Sequence, residues 1–197
     1  MCDMKIRKSL DLIPKLKSVG GRGSNCLRTS RLYVWLQFIV FVGCYALLNY
    51  GYFKIPDDLF MKVIYYHGVV TICADLINMF APMEQVLAQH NHLLSAKADL
   101  EIVRGCDGAG VLFLVVSAIV AFPSTGRRKL IGLLLGVGLI YLLNLLRISI
   151  LYFVIAYRPD WFPLVHVYLA PTLMVIVGCV YFAWWAFGST NKIYEPA

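Results

Sequence analysis

Three residues in this chain have the types and spacing that acyl transfer requires. Cys106 stands in Arg104-Gly105-Cys106-Asp107-Gly108-Ala109-Gly110, Arg147 closes Asn144-x-x-Arg147 late in a long apolar run, and His166 opens the next run. A thiol is nucleophilic only as the thiolate, and its pKa falls at a helix N-terminus or beside arginine or protonated histidine. Cys106 stands where an apolar helix is predicted to begin, between glycines. Those glycines let backbone N–H groups turn toward a bound carbonyl and let a peptide approach closely. His166 can take up and return a proton in the physiological range. Arg147 cannot lose its proton, so it supplies a fixed charge for a thiolate or a developing oxyanion and cannot be the base. Asn144, three residues earlier on the same helical face, can orient Arg147 or a substrate carbonyl.

The elements that must position these residues are membrane helices. Of the 197 residues, 60% are hydrophobic and 15% charged, with a mean hydropathy of +0.72. A soluble domain carries roughly 25% charged residues, so a disordered chain and an ordinary soluble domain are both excluded. Apolar runs cover Leu32 to Tyr52, about Gly108 to Phe122, about Leu130 to Tyr157 and about Phe162 to Phe187. The first is long enough to cross a bilayer core of about 30 Å, and its basic flank without a small-residue cleavage site marks an uncleaved signal anchor. The Gly108 run is short for a span, although it can borrow residues before Gly108. Pro163 and Pro171 predict kinks or a late start in the last run. Phe60 to Phe80 is apolar but carries His67, Thr71, Asp75 and Asn78 at spacings of four, four and three, one polar stripe on a helix.

Charge sets the orientation. Residues 1–31 hold eight basic residues (Lys5, Arg7, Lys8, Lys15, Lys17, Arg22, Arg28 and Arg31) against Asp3 and Asp11, so this tail accounts for +6 of the chain's net +7. A basic tail abutting an apolar run is a cytoplasmic topology signal that meets anionic lipid. No recognition motif accompanies it, and nucleic-acid binding is not expected. The loop bearing Arg127, Arg128 and Lys129 should lie on the same side, which requires an even number of crossings between residues 31 and 123. Residues 84–104 are too polar to cross. The expected architecture is therefore all-α: a polytopic membrane bundle of about four to five transmembrane helices, with Phe60 to Phe80 interfacial or re-entrant. Residues 1–31 form the tail and 32–197 the membrane domain. The ends bearing Cys106, Arg147 and His166 then meet at one depth on the outer face.

The order Cys106-x-Gly108 opening a helix, Asn144-x-x-Arg147-Ile148 ending the next and His166 opening a third resembles the exosortase and archaeosortase family of membrane-embedded cysteine transpeptidases. The resemblance covers about residues 100–180, the family's catalytic core. It implies that Cys106 is the nucleophile, Arg147 the essential cation and His166 the general acid and base; beside them Asn144, Asp107 and Gly108 are expected to bind the substrate. It implies further a plasma-membrane enzyme with a cytoplasmic N-terminus and an extracytoplasmic site. Its substrates would be proteins bearing a C-terminal sorting signal of motif, hydrophobic helix and basic end. Asp107 departs from the family, which commonly has a small polar residue such as serine there. A carboxylate beside a thiol raises the thiol pKa, so Asp107 should pair with Arg104 or another cation, unless this branch tunes its site differently.

Other polar residues lie outside that core. His90-x-His92 has no third ligand at a telling spacing, and neither metal nor cofactor is expected. His67 is the rival to His166 as base. Trp161, Tyr168 and Trp184 suit an interfacial aromatic belt. The six cysteines, at positions 2, 26, 44, 73, 106 and 179, form no CxxC pair, so neither a disulfide framework nor a zinc site is expected. Two other classes share these residues. A non-enzymatic complex or transporter subunit would use the polar groups for interhelical hydrogen bonds, and a membrane thiol acyltransferase would share the Cys106 and His166 chemistry.

Overall fold

The computed structural model describes the backbone of residues 20–56, 66–105 and 107–190, and the side chains of residues 32–56, 66–105 and 107–188. Cys106, the tail to residue 19, Lys62 and Lys192 lie outside the described residues, as do the side chains of Arg22, Arg28 and Arg31. Met1–Val40 forms one compact unit and Phe41–Ala197 another. In the first, the described residues belong to helix α1 (Gly20–Lys54). The end of α1 and every later element belong to the second.

After the end of α1, a π-turn over residues 66–70 runs into α2 (Thr71–Phe80). A 3-10 turn, Pro82–Glu84, leads to three short strands, β1 (Leu87–Gln89), β2 (His92–Leu94) and β3 (Asp99–Glu101). Helices α3 (Ala109–Ala121) and α4 (Gly126–Tyr157) come next. The last stretch begins with a 3-10 turn, Pro159–Trp161, an α-turn, Phe162–Leu164, and a π-turn, Val165–Leu169, before α5 (Ala170–Thr190). Leu32–Lys54, Gly126–Tyr157 and Pro159–Gly188 are long and apolar enough to cross a membrane. The chain is a multi-pass helical membrane bundle, as its apolar runs require.

Two segments differ in detail from the sequence-based expectation. Helix α3 does not borrow residues before Gly108, because Gly105 and Gly108 adopt φ of 91° and 75° and turn the chain out of the helix. Its 13 residues measure about 20 Å, less than a bilayer core. Residues 84–104, too polar to cross, form an antiparallel sheet in the order β1-β2-β3, with Leu93 opposite both Ala88 and Leu100. Leu93 and Leu100 are buried while their strand neighbours are more exposed, so the sheet lays one apolar face on the helices.

Small residues set the spacing of α3, α4 and α5. A Cβ on Gly132 would collide with the Trp185 indole, and one on Gly136 would stand 2.9 Å from the Tyr181 ring. Tyr181 donates its hydroxyl to the Gly132 carbonyl at 2.6 Å. Gly132-x-x-x-Gly136 therefore lets α5 approach α4 closely, which apolar helices in lipid need in order to gain dispersion energy. At the same end, Lys129 Nζ donates to the Val120 carbonyl at 2.6 Å and Arg128 Nη2 to the Trp185 carbonyl at 3.0 Å. These cations meet the negative ends of the two neighbouring helices.

Helix α4 spans about 48 Å and so outruns the bilayer core. Its final turns carry Tyr152 and Tyr157 to the sheet. There Glu84, buried at 7% exposure, accepts hydrogen bonds from Lys97 Nζ at 2.7 Å and from the Tyr157 hydroxyl. The Tyr152 hydroxyl lies 3.1 Å from Glu84 Oε2 and 2.8 Å from Ser95 Oγ. The Lys97 and Tyr157 bonds hold the Glu84 carboxyl below its ordinary value of 4.5, and Glu84 holds Lys97 above 10.5. A depressed carboxyl gives stability that is complete above its ordinary value and is lost as pH falls through the folded value. A raised lysine gives stability complete below its ordinary value and lost above it. The sheet should thus stay docked between pH 4.5 and 10.5 and loosen on acidification below that range. Amide exchange of residues 87–101, corrected for intrinsic rates, should accelerate only outside that range in the wild type. In Glu84→Gln it should be fast already at neutral pH, with little further acid dependence.

Candidate active site

The loop from β3 to α3 is anchored on both sides of position 106. Arg104 donates from Nη1 to the Tyr52 carbonyl at 3.0 Å and from Nη2 to the Ile55 carbonyl at 2.7 Å, filling acceptors left open where α1 ends. Its guanidinium lies 5.6 Å from the centre of the Tyr52 ring. Asp107 accepts the Tyr52 hydroxyl on Oδ2 at 2.6 Å and the Ala109 N–H on Oδ1 at 3.2 Å. The carboxylate is thus met by a hydroxyl and by the first amide of α3. Arg104, the cation expected for it, reaches backbone carbonyls of α1.

Gly108 brings this loop against α4. With φ at 75° it holds the left-handed conformation that glycine adopts without steric cost. A Cβ here would lie 3.0 Å from Asn144 Oδ1 and 3.0 Å from Met174 Cε. Asn144 is 3% exposed, and its Oδ1 has no hydrogen-bond partner among the described residues. Arg147, one turn further along α4, is 9% exposed. It lines a cavity of about 100 Å³ together with Val165, Leu169 and Met174 from the last helical stretch.

His166 lies in the π-turn just before Pro171. Proline has no N–H to donate, and the wider turn is closed instead by the Ala170 N–H on the Val165 carbonyl. The imidazole is half-buried, stacks on Phe162 with ring centres 5.0 Å apart, and is within electrostatic reach of Arg147. Gly108, Asn144, Arg147 and His166 therefore gather where α3, α4 and the last helical stretch meet, at the end of the bundle away from the Arg128 and Lys129 caps. Cys106, the fifth expected member, lies outside the described residues.

A second cavity, of about 400 Å³, opens beside this cluster. Its walls include Tyr52, Val69, Asp107, Gly108, Tyr141 and Asn144. The lining is mostly apolar, with Asn144 Oδ1 the unsatisfied acceptor at its edge. Such a cavity suits an apolar or extended chain with few polar anchor points.

The remaining polar candidates have local partners. His67 is exposed and packs edge-on against Tyr66 with ring centres 4.9 Å apart. Asn78 takes both backbone groups of Val86 at 2.8 Å, tying α2 to the sheet. His92 Nδ1 meets Asp99 Oδ1 at 2.8 Å across the strands. Sequence reasoning missed Tyr52 and Met174. An aromatic residue near a span end is a normal interfacial feature, and a methionine in an apolar helix carries no signal.

A multi-pass helical bundle with glycine, asparagine, arginine and histidine gathered at one end of its helices defines a membrane protein with a buried polar site. Residues 31–185 match the transmembrane exosortase family, and the chain belongs to it. It is accordingly a membrane protein-sorting enzyme, and the match reaches back beyond the 100–180 core to include the first membrane helix. No curated protein and no solved structure matches the chain.

The packing of Gly108 on Asn144 can be tested by a double-mutant cycle. Gly108→Ala should destabilise by about 1–2 kcal/mol for the left-handed backbone, with an added cost from the Asn144 contact. In an Asn144→Ala background the added cost should vanish, giving a coupling on the order of 0.5–1 kcal/mol in thermal unfolding. Equal penalties in the two backgrounds would contradict the contact.

Proposed function

We propose that this exosortase is a cysteine transpeptidase or peptidase that cleaves C-terminal sorting signals at the extracytoplasmic face of the plasma membrane. The observation that carries this reading is the convergence of Gly108, Asn144, Arg147 and His166 beside an apolar cavity, next in sequence to Cys106. The catalytic core is about 100–180. The basic tail to residue 31 sets orientation and takes no part in the chemistry.

A substrate with a motif, a hydrophobic helix and a basic end lays its helix against the bundle, which brings the scissile peptide to the Asp107-Gly108 loop. The Cys106 thiol gives its proton to His166 and attacks the carbonyl carbon as the thiolate, and the electron pair moves to an oxyanion that faces Arg147. His166 then protonates the leaving nitrogen, the C–N bond breaks, and a thioester remains on Cys106. An amine or water gives its proton to His166 and attacks the thioester, and the C–S bond breaks to restore the thiolate. Asn144 offers its amide to the substrate backbone, and Gly108 leaves room for it. The position of the site opposite the basic Arg127–Lys129 loop supports an outward-facing centre under the positive-inside rule.

Intact-mass analysis of envelope proteins from cells carrying each variant tests the reading. Cys106→Ala should leave a set of proteins with their C-terminal helices uncleaved. Arg147→Lys should slow cleavage by about 10²–10³, the cost of a lost oxyanion donor. Wild-type processing in Cys106→Ala would refute the thiol mechanism and favour a non-enzymatic subunit. A lipid carried in place of peptide on Cys106 would favour an acyltransferase.

A further inference from the structure

We propose that Tyr52, at the end of the first membrane helix, is a positioning residue for the reaction centre. Its hydroxyl engages the Asp107 carboxylate and so limits the penalty that this charge imposes on the neighbouring Cys106 thiol. The proposal rests on the reading of Cys106 as nucleophile.

The need for such a residue arises in the sequence. A small polar residue after the nucleophile leaves no charge to manage, whereas a carboxylate there disfavours the thiolate by like-charge repulsion. The structure gives that carboxylate two donors of its own. The Tyr52 O–H meets Oδ2 at 2.6 Å, the length of a charge-assisted bond. The Ala109 N–H meets Oδ1 at 3.2 Å at the start of α3, where the helix dipole favours negative charge. Both draw electron density away from the carboxylate.

Tyr52 is held rigidly for this task. It is 8% exposed, with its ring edge-on to Phe113 at 5.6 Å and to Phe53 at 5.2 Å. Arg104 covers the ring and takes the Tyr52 carbonyl through Nη1. The hydroxyl is therefore delivered at little further cost in side-chain entropy. The other titratable groups beside it are Tyr141 from α4, which lines the same cavity, and Arg104 from its own loop, which lies over the Tyr52 ring. Asp107 is the one carboxylate among the described residues that line the 400 Å³ cavity. Residues Tyr52 and Asp107 lie 55 positions apart, so this bond also couples the first membrane helix to the catalytic core.

The rate of Cys106 alkylation by iodoacetamide, followed by peptide mass spectrometry in native membranes across a pH series, reads the thiol directly. In Tyr52→Phe the midpoint should rise by about one pH unit, and alkylation at neutral pH should slow about tenfold. Substrate cleavage should fall in parallel and recover at higher pH. In an Asp107→Ser background, which restores a small polar residue, Tyr52→Phe should leave the midpoint where it is. An unmoved midpoint in Tyr52→Phe alone would overturn the proposal. So would equal slowing in both backgrounds without a midpoint change, which marks a purely structural role. Cleavage by Cys106→Ala is measured separately: if it persists, the nucleophile reading fails while the alkylation series still decides the role of Tyr52.

Discussion

Arg147 keeps its charge at every accessible pH, and it is nine-tenths removed from solvent inside an apolar bundle. A cation in that setting is costly unless neighbouring dipoles and charges compensate it, so its place on α4 constrains the packing around it. Helix α4 belongs to two apolar cores. Ile140 packs with Val115, Ile119, Met174 and Trp185, while Leu145, Ile148 and Leu151 pack with Cys73, Ile77 and Leu93. Asn144 lies on α4 between Ile140 of one core and Leu145 of the other, and Arg147 faces the cavity lined by Val165, Leu169 and Met174.

The backbone changes character along the bundle in the same way. At the end bearing Arg128 and Lys129, regular helices meet closely over Gly132 and Gly136, and cations cap the helix ends. At the other end the backbone departs from regularity beside the site: in the π-turn over residues 66–70, at Gly105 and Gly108, and in the π-turn Val165–Leu169. At membrane depth such backbone survives only where protein surrounds it or a cavity accepts it. Both conditions are met here, since these segments border the cavities on either side of α4. The regular half of the bundle supports the irregular half, and the irregular half carries the polar cluster.

Much of this was legible in the sequence because composition and period are strong signals for long apolar helices. The runs that became α1, α4 and α5 were plain, as were Asn144 and Arg147 on one helical face and the charge asymmetry of the loops. The rest depended on contacts that no local pattern encodes. Three-residue strands are too short to show alternation, and their turn places His90, which is not a glycine, at φ 55°. The stripe from His67 to Asn78 did predict a helix, yet His67 falls in the π-turn that precedes α2, and Asn78 serves the backbone of Val86. Asp107 was visible as an anomaly next to the cysteine expected to be the nucleophile, but its partner is a hydroxyl on a helix far away in the chain. Long-range pairing of this kind is set by tertiary packing.

Thiol acyl transfer at one outward-facing centre requires a covalent intermediate, and trapping it is the most direct test of the proposed mechanism. Wild-type membranes are incubated with a signal-bearing substrate, quenched in acid, and the hydroxylamine-sensitive adduct is mapped by peptide mass spectrometry. The mechanism predicts a substrate acyl group on the peptide containing Cys106, lost on hydroxylamine treatment and absent from Cys106→Ala. Continued cleavage with no adduct on Cys106, or an adduct on another residue, would contradict it.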